Sequence, residues 1–312
     1  MKIFAQILVL FGFTFLAAVF GQSNEIAVDG FDVSKVNGSA PTRYHALELY
    51  NNDHPNQKRV AVRKCNTFNF IFPLKIFSTV VPRFCPAVFI SGDSLLTSAL
   101  CLRMLQQDGG DQRTDHLFAI VDREEVFFYE HGRRYVNNIF IHPKFDEEPA
   151  YYNVAIVKLR NAVRYDRDAT GRSHIACLWP EHNLKNPQTV LGEWFDFQPE
   201  LNPSFRWLDL PTITHEQCTT ELKNLKQPIP ELSDGVRESS QICVQDPGSN
   251  STLIRFCDSR SSGPLLMSLG TTVYVAGLPT VHIDDCGVQV EVFNRISFFL
   301  DWIESVVWPG QV

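Results

Sequence analysis

Cys85-Pro86-Ala87-Val88-Phe89-Ile90-Ser91 and, shortly after it, Leu95-Leu96-Thr97-Ser98-Ala99-Leu100-Cys101 decide how this chain is read. The apolar run Val88-Phe89-Ile90 is one of a series set between turn residues: Phe70-Ile71-Phe72, Phe118-Ala119-Ile120-Val121, Val126-Phe127-Phe128, Ile139-Phe140-Ile141, Val154-Ala155-Ile156-Val157 and Val273-Tyr274-Val275. Many short strands with punctuating turns predict an all-β sandwich or barrel. Near the end, Ile296, Phe299, Leu300, Ile303 and Val307 recur at helical spacing, so an amphipathic C-terminal helix is expected over residues 294–307. There is no internal repeat, low-complexity tract or Gly-rich phosphate loop.

Composition bounds the function. A chain of 312 residues, 44% hydrophobic and 20% charged, suits one large or two modest globular domains. A net charge of −7 without an extended lysine or arginine cluster sets nucleic acid aside as a partner. Residues 1–21 carry Lys2 and then an apolar run ending at Gly21, the layout of a secretory signal peptide cleaved after Gly21. A membrane anchor is the alternative, since the run approaches the roughly 20 residues that span a bilayer. The polar Gln22-Ser23-Asn24-Glu25 that follows favours the signal peptide, hence a secreted, extracellular protein with no membrane attachment after its removal.

Residues 22–59 are polar and lack cysteine, with Asn51-Asn52-Asp53-His54-Pro55-Asn56 within them, and read as an extension or linker. Residues 60–312 hold the apolar runs and the cysteines. Eight cysteines, an even number behind a signal peptide, argue for disulfides formed in an oxidising compartment. No C-x-x-C pair or Cys/His cluster suggests a metal, and no cofactor is expected. Asn37-Gly38-Ser39 and Asn250-Ser251-Thr252 are glycosylation sequons.

Several motifs, in one order, resemble those of the trypsin-like serine proteases. The two stretches at Cys85 and Cys101 resemble C-G-G-S-L-I-S and V-L-T-A-A-H-C, with the same sixteen-residue separation of the cysteines. Ile141-His142-Pro143-Lys144-Phe145 resembles H-P-x-Y, with His142 a loop residue, and Tyr152-Asn153-Val154-Ala155-Ile156-Val157-Lys158-Leu159 resembles N-D-I-A-L-L-K-L. Ala176-Cys177-Leu178-Trp179-Pro180 resembles P-x-C-L-P, and Asp301-Trp302-Ile303 falls where that family's terminal helix carries W-I. Phe256-Cys257-Asp258-Ser259-Arg260-Ser261-Ser262-Gly263-Pro264-Leu265 resembles the nucleophile loop C-x-G-D-S-G-G-P-L.

The resemblance implies two packed six-stranded antiparallel β-barrels with a cleft between them and a C-terminal helix. It also implies the disulfides Cys85–Cys101, Cys218–Cys243 and Cys257–Cys286, leaving Cys65 with Cys177; an intermolecular bridge from Cys65 is the alternative.

The same comparison removes the chemistry. Leu100 stands where the family has its histidine and Asn153 where it has its aspartate, with only Ser261 kept. A serine hydroxyl needs a base to take its proton, and the base needs a third group to orient it and stabilise its charged form. Leucine has no lone pair. Ser259 replaces the glycine whose N–H helps form the oxyanion hole, and Arg260 replaces the aspartate that receives the new N-terminal ammonium after zymogen cleavage. Arg255, at the base of the specificity pocket, either fills that pocket or draws an acidic side chain. His282 is the one imaginable substitute base, a loop histidine whose plainer reading is exposure. Lys58-Arg59-Val60-Ala61 lies about where the family carries R-I-V-G-G, so Arg59 is either a cleavage site for another protease or part of a basic linker that is never cut.

The resemblance therefore implies a secreted, non-catalytic homologue that acts by binding extracellular proteins, such as an active protease or its substrate, in a proteolytic cascade. Such homologues are familiar from arthropod immunity and clotting-type cascades, although their usual N-terminal module has six cysteines and this extension has none. The alternatives are an extracellular carrier or structural protein, and a serine hydrolase of unconventional mechanism.

Overall fold

β2 (Phe84–Ser91) shows how alternation builds the molecule. Successive side chains of a strand point to opposite faces. Cys85, Ala87 and Phe89 enter one apolar cluster, while Val88 and Ile90 enter another. Leu95 and Leu96 of β3 (Ser94–Thr97) divide between the same two clusters, as do Val157 and Ile156 of β6 (Ala155–Leu159). A sheet buried on both faces reads as an unbroken apolar run, which is the character of Val154-Ala155-Ile156-Val157.

The computed structural model describes residues 58–65, 74–80, 84–107, 114–120, 133–163, 175–184, 187–192, 205–225, 228–245, 263–269, 272–280 and 290–311. They lie in one compact unit, Pro41–Val312. A short helix α1 (Val60–Arg63) precedes β1 (Leu74–Ser78), β2 and β3. Then come α2 (Ala99–Gln107), β4 (Leu117–Ile120), β5 (Arg133–Ile141) and β6. The strands close into an antiparallel barrel in the order β1-β2-β3-β6-β5-β4. Its interior holds Ile76, Cys85, Ala87, Phe89, Leu95, Leu117, Ala119, Val136, Ala155 and Val157, with Leu102 and Leu105 of α2 packed against them.

The second half begins with β7 (Cys177–Leu178), β8 (Gln188–Gly192) and β9 (Phe205–Asp209), followed by α3 (His215–Lys223). β10 (Gln241–Gln245), β11 (Leu265–Leu269), β12 (Thr272–Pro279), β13 (Val290–Arg295) and α4 (Ile296–Val307) complete it. The order is β10-β13-β12-β11-β8-β9, with β7 added parallel to β12. The expected second barrel is thus a sheet of seven strands, one of them parallel. Its two ends approach each other where the chain after β9 bridges β10 at Thr212 and Val244, flanked by the bonds Ile213 N–H to Cys243 O and Gln245 N–H to Pro211 O. Gly277 sits where β12 meets both neighbours: a Cβ there would lie 3.0 Å from Phe293 Cβ and 3.1 Å from Leu265 Cβ.

The C-terminal helix packs Ile296, Phe299, Leu300, Ile303 and Val307 between the halves, against Val88, Ile90, Ile156, Leu178 and Val275. It starts at Ile296 rather than Asn294, because Asn294 and Arg295 are held in strand pairing with β10 and β12. The three earlier helices were not anticipated. Thr214-His215-Glu216-Gln217 does form a capping box at α3, a signature the sequence carries. Disulfides join Cys65 to Cys177, Cys85 to Cys101 and Cys218 to Cys243. Cys257 and Cys286, the runs Phe70–Phe72 and Val126–Phe128, the signal peptide, the extension up to residue 57 and both sequons lie outside the described residues.

Candidate functional site

Two of the three positions that would carry catalysis are brought together. Leu100 lies in the first turn of α2, where Ser98 Oγ receives the N–H of Cys101 at 3.2 Å as a helix cap does. Asn153 precedes β6, in a stretch where Ala150 and Tyr152 take positive φ values of 32° and 55°. Strained backbone of this kind persists only where the surroundings hold it. Here Tyr151 supplies the hold, its hydroxyl donating to Gly235 O at 2.5 Å and its ring lying under the Arg237 guanidinium.

Asn153 is fully buried and hydrogen-bonded at both ends of its amide. Oδ1 accepts the backbone N–H of Leu100 at 2.7 Å and the hydroxyl of Ser98 at 2.9 Å. Nδ2 donates to Thr280 O at 2.7 Å, and the main-chain carbonyl of Asn153 accepts from Asn294 Nδ2 at 3.1 Å. One side chain therefore ties the start of α2 to the end of β12, and Asn294 ties it to β13. A carboxylate could accept from Leu100 and Ser98 but could not donate to Thr280. The asparagine is fitted to a structural task. Leu100 itself packs with Ala150, Tyr151, Cys218, Val236 and Val292, side chains drawn from both halves. Where an imidazole would be needed, the chain places an apolar contact.

Ser261, Ser259, Arg260, Arg255 and His282 lie outside the described residues. Beyond them Gly263 and Pro264 are buried and lead into β11. Among the described residues, no cluster of three or more His, Cys, Asp or Glu is placed to hold a metal ion, and no helix is long and apolar enough to cross a membrane.

Arg59 is placed in detail. Its guanidinium contacts Asp301 Oδ1 at 2.7 and 2.8 Å and Glu304 Oε2 at 3.2 Å, while Glu304 Oε1 accepts the N–H of Ala61 at 2.9 Å. Val60 and Ala61 are 2% and 3% exposed. The basic stretch is therefore a docked strap, closed by Cys65–Cys177. Sequence reasoning missed Glu304, and one signal was present: with Leu300, Ile303 and Val307 it lies at positions i, i+3, i+4 and i+7, an acid on the inward face of an apolar helix. Thr280 and Asn294, partners of Asn153, had no local signature.

A closed antiparallel barrel and a second sheet, packed through a terminal helix with the degenerate triad positions at their junction, define a serine-protease-like fold. The chain belongs to the trypsin family: the Trypsin family model matches residues 60–303. It is 25% identical over 247 residues to the clotting factor G beta subunit of Tachypleus tridentatus, covering 76% of this chain and 75% of that protein. It is 25% identical over 176 residues to serine protease snk of Drosophila melanogaster, covering 54% of this chain and 38% of that protein. For serine protease Hayan of the same fly the figures are 24% over 235 residues, 72% and 36%. The chain thus spans well under half the length of the two fly relatives. The resemblance to arthropod proteins is borne out by all three.

Proposed function

We propose that this chain is a secreted, catalytically inactive serine protease homologue that acts by binding proteins, as a regulator or cofactor in an extracellular proteolytic cascade. The observation that carries the reading is the pairing of Leu100 with Asn153. The first has no group to take a proton, and the second has spent its amide on Leu100 N–H, Ser98 and Thr280. In a comparable triad, loss of the histidine alone costs about a millionfold in turnover, as much as loss of all three groups. Kinship with a clotting factor subunit and two serine proteases supports protein partners of the same kind, an active protease or its substrate.

The test is reaction of the secreted chain with a fluorophosphonate, followed by peptide mapping, with Ser261→Ala as the control. No labelling at Ser261 is expected. Stoichiometric labelling there would show an activated hydroxyl and overturn the reading.

A further inference from the structure

The outer face of the first barrel carries a ladder of rings that its core does not use. Phe84, Phe77, Phe118 and Tyr135 stand on the neighbouring strands β2, β1, β4 and β5, each directly opposite the next in the strand register. Their ring centroids are 5.8, 5.7 and 6.4 Å apart. Ile76, Cys85, Ala119 and Val136, one position along each strand, point into the barrel, so alternation turns the four rings outward. The ladder ends at Tyr135, 43% exposed.

Arginines gather at that end. The Arg133 guanidinium lies 4.5 Å from the Phe118 centroid and that of Arg160 lies 5.8 Å from the Tyr135 centroid. With Arg134, Asn161 and Ala162 they line a pocket of about 380 Å³ around the tyrosine. Arg160 also pairs with Asp115 and donates from Nε to Val136 O, which fixes its stem and aims its planar fork along the rim. Three guanidiniums against one carboxylate make a compact positive spot on a chain of net charge −7.

We propose that this pocket docks an acidic segment of a partner protein, with Asp or Glu carboxylates on Arg133, Arg134 and Arg160 and an apolar side chain on Tyr135. The proposal deepens the protein-binding function above and rests on it. Guanidinium forks bind carboxylates bidentately, and rings already stacked with arginine give a rigid floor that loses little freedom on binding. Tyrosine and arginine are also the residues that most often carry the energy of protein interfaces. A long sulfated polysaccharide fits less well, because it needs an extended basic track, and this spot is small, edged by Asp115 and set on an acidic molecule.

The test uses the full secreted chain and fluorescence anisotropy of a labelled peptide of Asp and Glu residues around a central Phe. Saturable binding that weakens as salt is raised is expected, with at least about a tenfold rise in Kd for the Arg134→Glu/Arg160→Glu double variant. Tyr135→Ala, which keeps every charge, is expected to weaken binding severalfold; thermal unfolding followed by circular dichroism checks that both variants are folded. No binding by the parent chain, an unchanged Kd in both folded variants, or a heparin-type oligosaccharide that binds more tightly than the peptide and depends on the same arginines would each overturn the proposal. These outcomes leave Ser261 chemistry untouched, and fluorophosphonate labelling of Ser261 leaves this pocket untouched, so the two readings fail separately.

Discussion

Glu304, 2% exposed in the apolar face of α4, holds Arg59 from the far end of the chain: one carboxylate oxygen takes the guanidinium at 3.2 Å and the other takes the next-but-one backbone N–H, that of Ala61, at 2.9 Å. A buried carboxylate is tolerated only when paired and hydrogen-bonded, and both of these oxygens are used. The Arg59–Val60 bond is thereby kept in a helical turn, with Arg63 N–H on Arg59 O and Lys64 N–H on Val60 O, rather than in an extended strand.

Cleavage of a folded chain requires local opening, and its rate follows the population of the open form when reclosing is fast. Trypsin is therefore expected to cut after Arg59 far more slowly in the native chain than after reduction and denaturation. Glu304→Ala removes one partner of a buried pair, which costs about 3 kcal/mol, and should make the same bond labile. Mass spectrometry of the junction during limited digestion reads both. Equal rates in native and denatured protein would show that the strap is not docked in solution.

Asn153→Asp is the change that moves the site toward its catalytic relatives, and it should destabilise the fold. The new carboxylate would face Thr280 O, losing the donated bond at a cost of about 1 to 3 kcal/mol, while gaining no hydrolysis because Leu100 remains. The penalty should shrink at acid pH, where a protonated carboxyl can donate to Thr280 O again. Urea unfolding of parent and variant at neutral and acid pH measures it; a variant of parental stability at neutral pH would mean that the amide's donated bond contributes nothing.

Stability should fall as pH drops from 7 toward 5. Burial, and then the charge of Lys144, hold the His142 imidazole below its ordinary range, and burial followed by Arg295 does the same for His182 against the opposing pull of Glu238. The unfolded chain, with histidines near 6.5, then binds more protons than the native one. The contribution is complete above that value and is lost as pH falls through the lower native one. His142 Nδ1 accepts the N–H of Lys144, and its ring packs on Tyr152 and Trp302, so protonation works against a formed contact. Asp93 titrates in a different window: burial raises its pKa, but Ser94, Ser91 and Lys158 together outweigh burial and hold it below its ordinary value. His142→Phe should flatten the slope between pH 7 and 5 in urea titrations, and an unchanged slope would assign it elsewhere.

Replacing Cys65 and Cys177 by serine opens a link 112 residues long and should cost roughly 4 to 5 kcal/mol in the chain-entropy model, against about 3 for the shorter Cys85–Cys101 link. Because Cys65 follows α1, the same change should also speed the cut after Arg59. Thermal melts of the two serine pairs rank them. A smaller loss for the 65/177 pair would mean that native packing, not loop closure, sets the order.

Local pattern and residue identity made much of this legible. Val88-Phe89-Ile90, Ile139-Phe140-Ile141 and Val154-Ala155-Ile156-Val157 lie in or at the edge of β2, β5 and β6, because alternation and burial act over neighbouring residues. The apolar periodicity over 294–307 located α4, though not its first residue, which strand pairing decides. Leucine and asparagine at the two degenerate positions are matters of identity, and the absence of a base at Leu100 needs no structure to establish.

By itself, then, the sequence determined that the chain builds short strands, ends in an amphipathic helix and carries Leu100 and Asn153 where catalysis would need a base and a carboxylate. Tertiary structure alone decided that Asn153 spends its amide on Leu100, Ser98 and Thr280, that Arg59 and Ala61 close on Glu304, and that four rings from four strands line up beneath a cluster of arginines. The physical reason is range: propensity, periodicity and chemical identity are properties of a residue and its near neighbours, whereas a hydrogen bond between residues 127 apart or an ion pair between residues 245 apart exists only once register and packing have brought them within 3 Å or so.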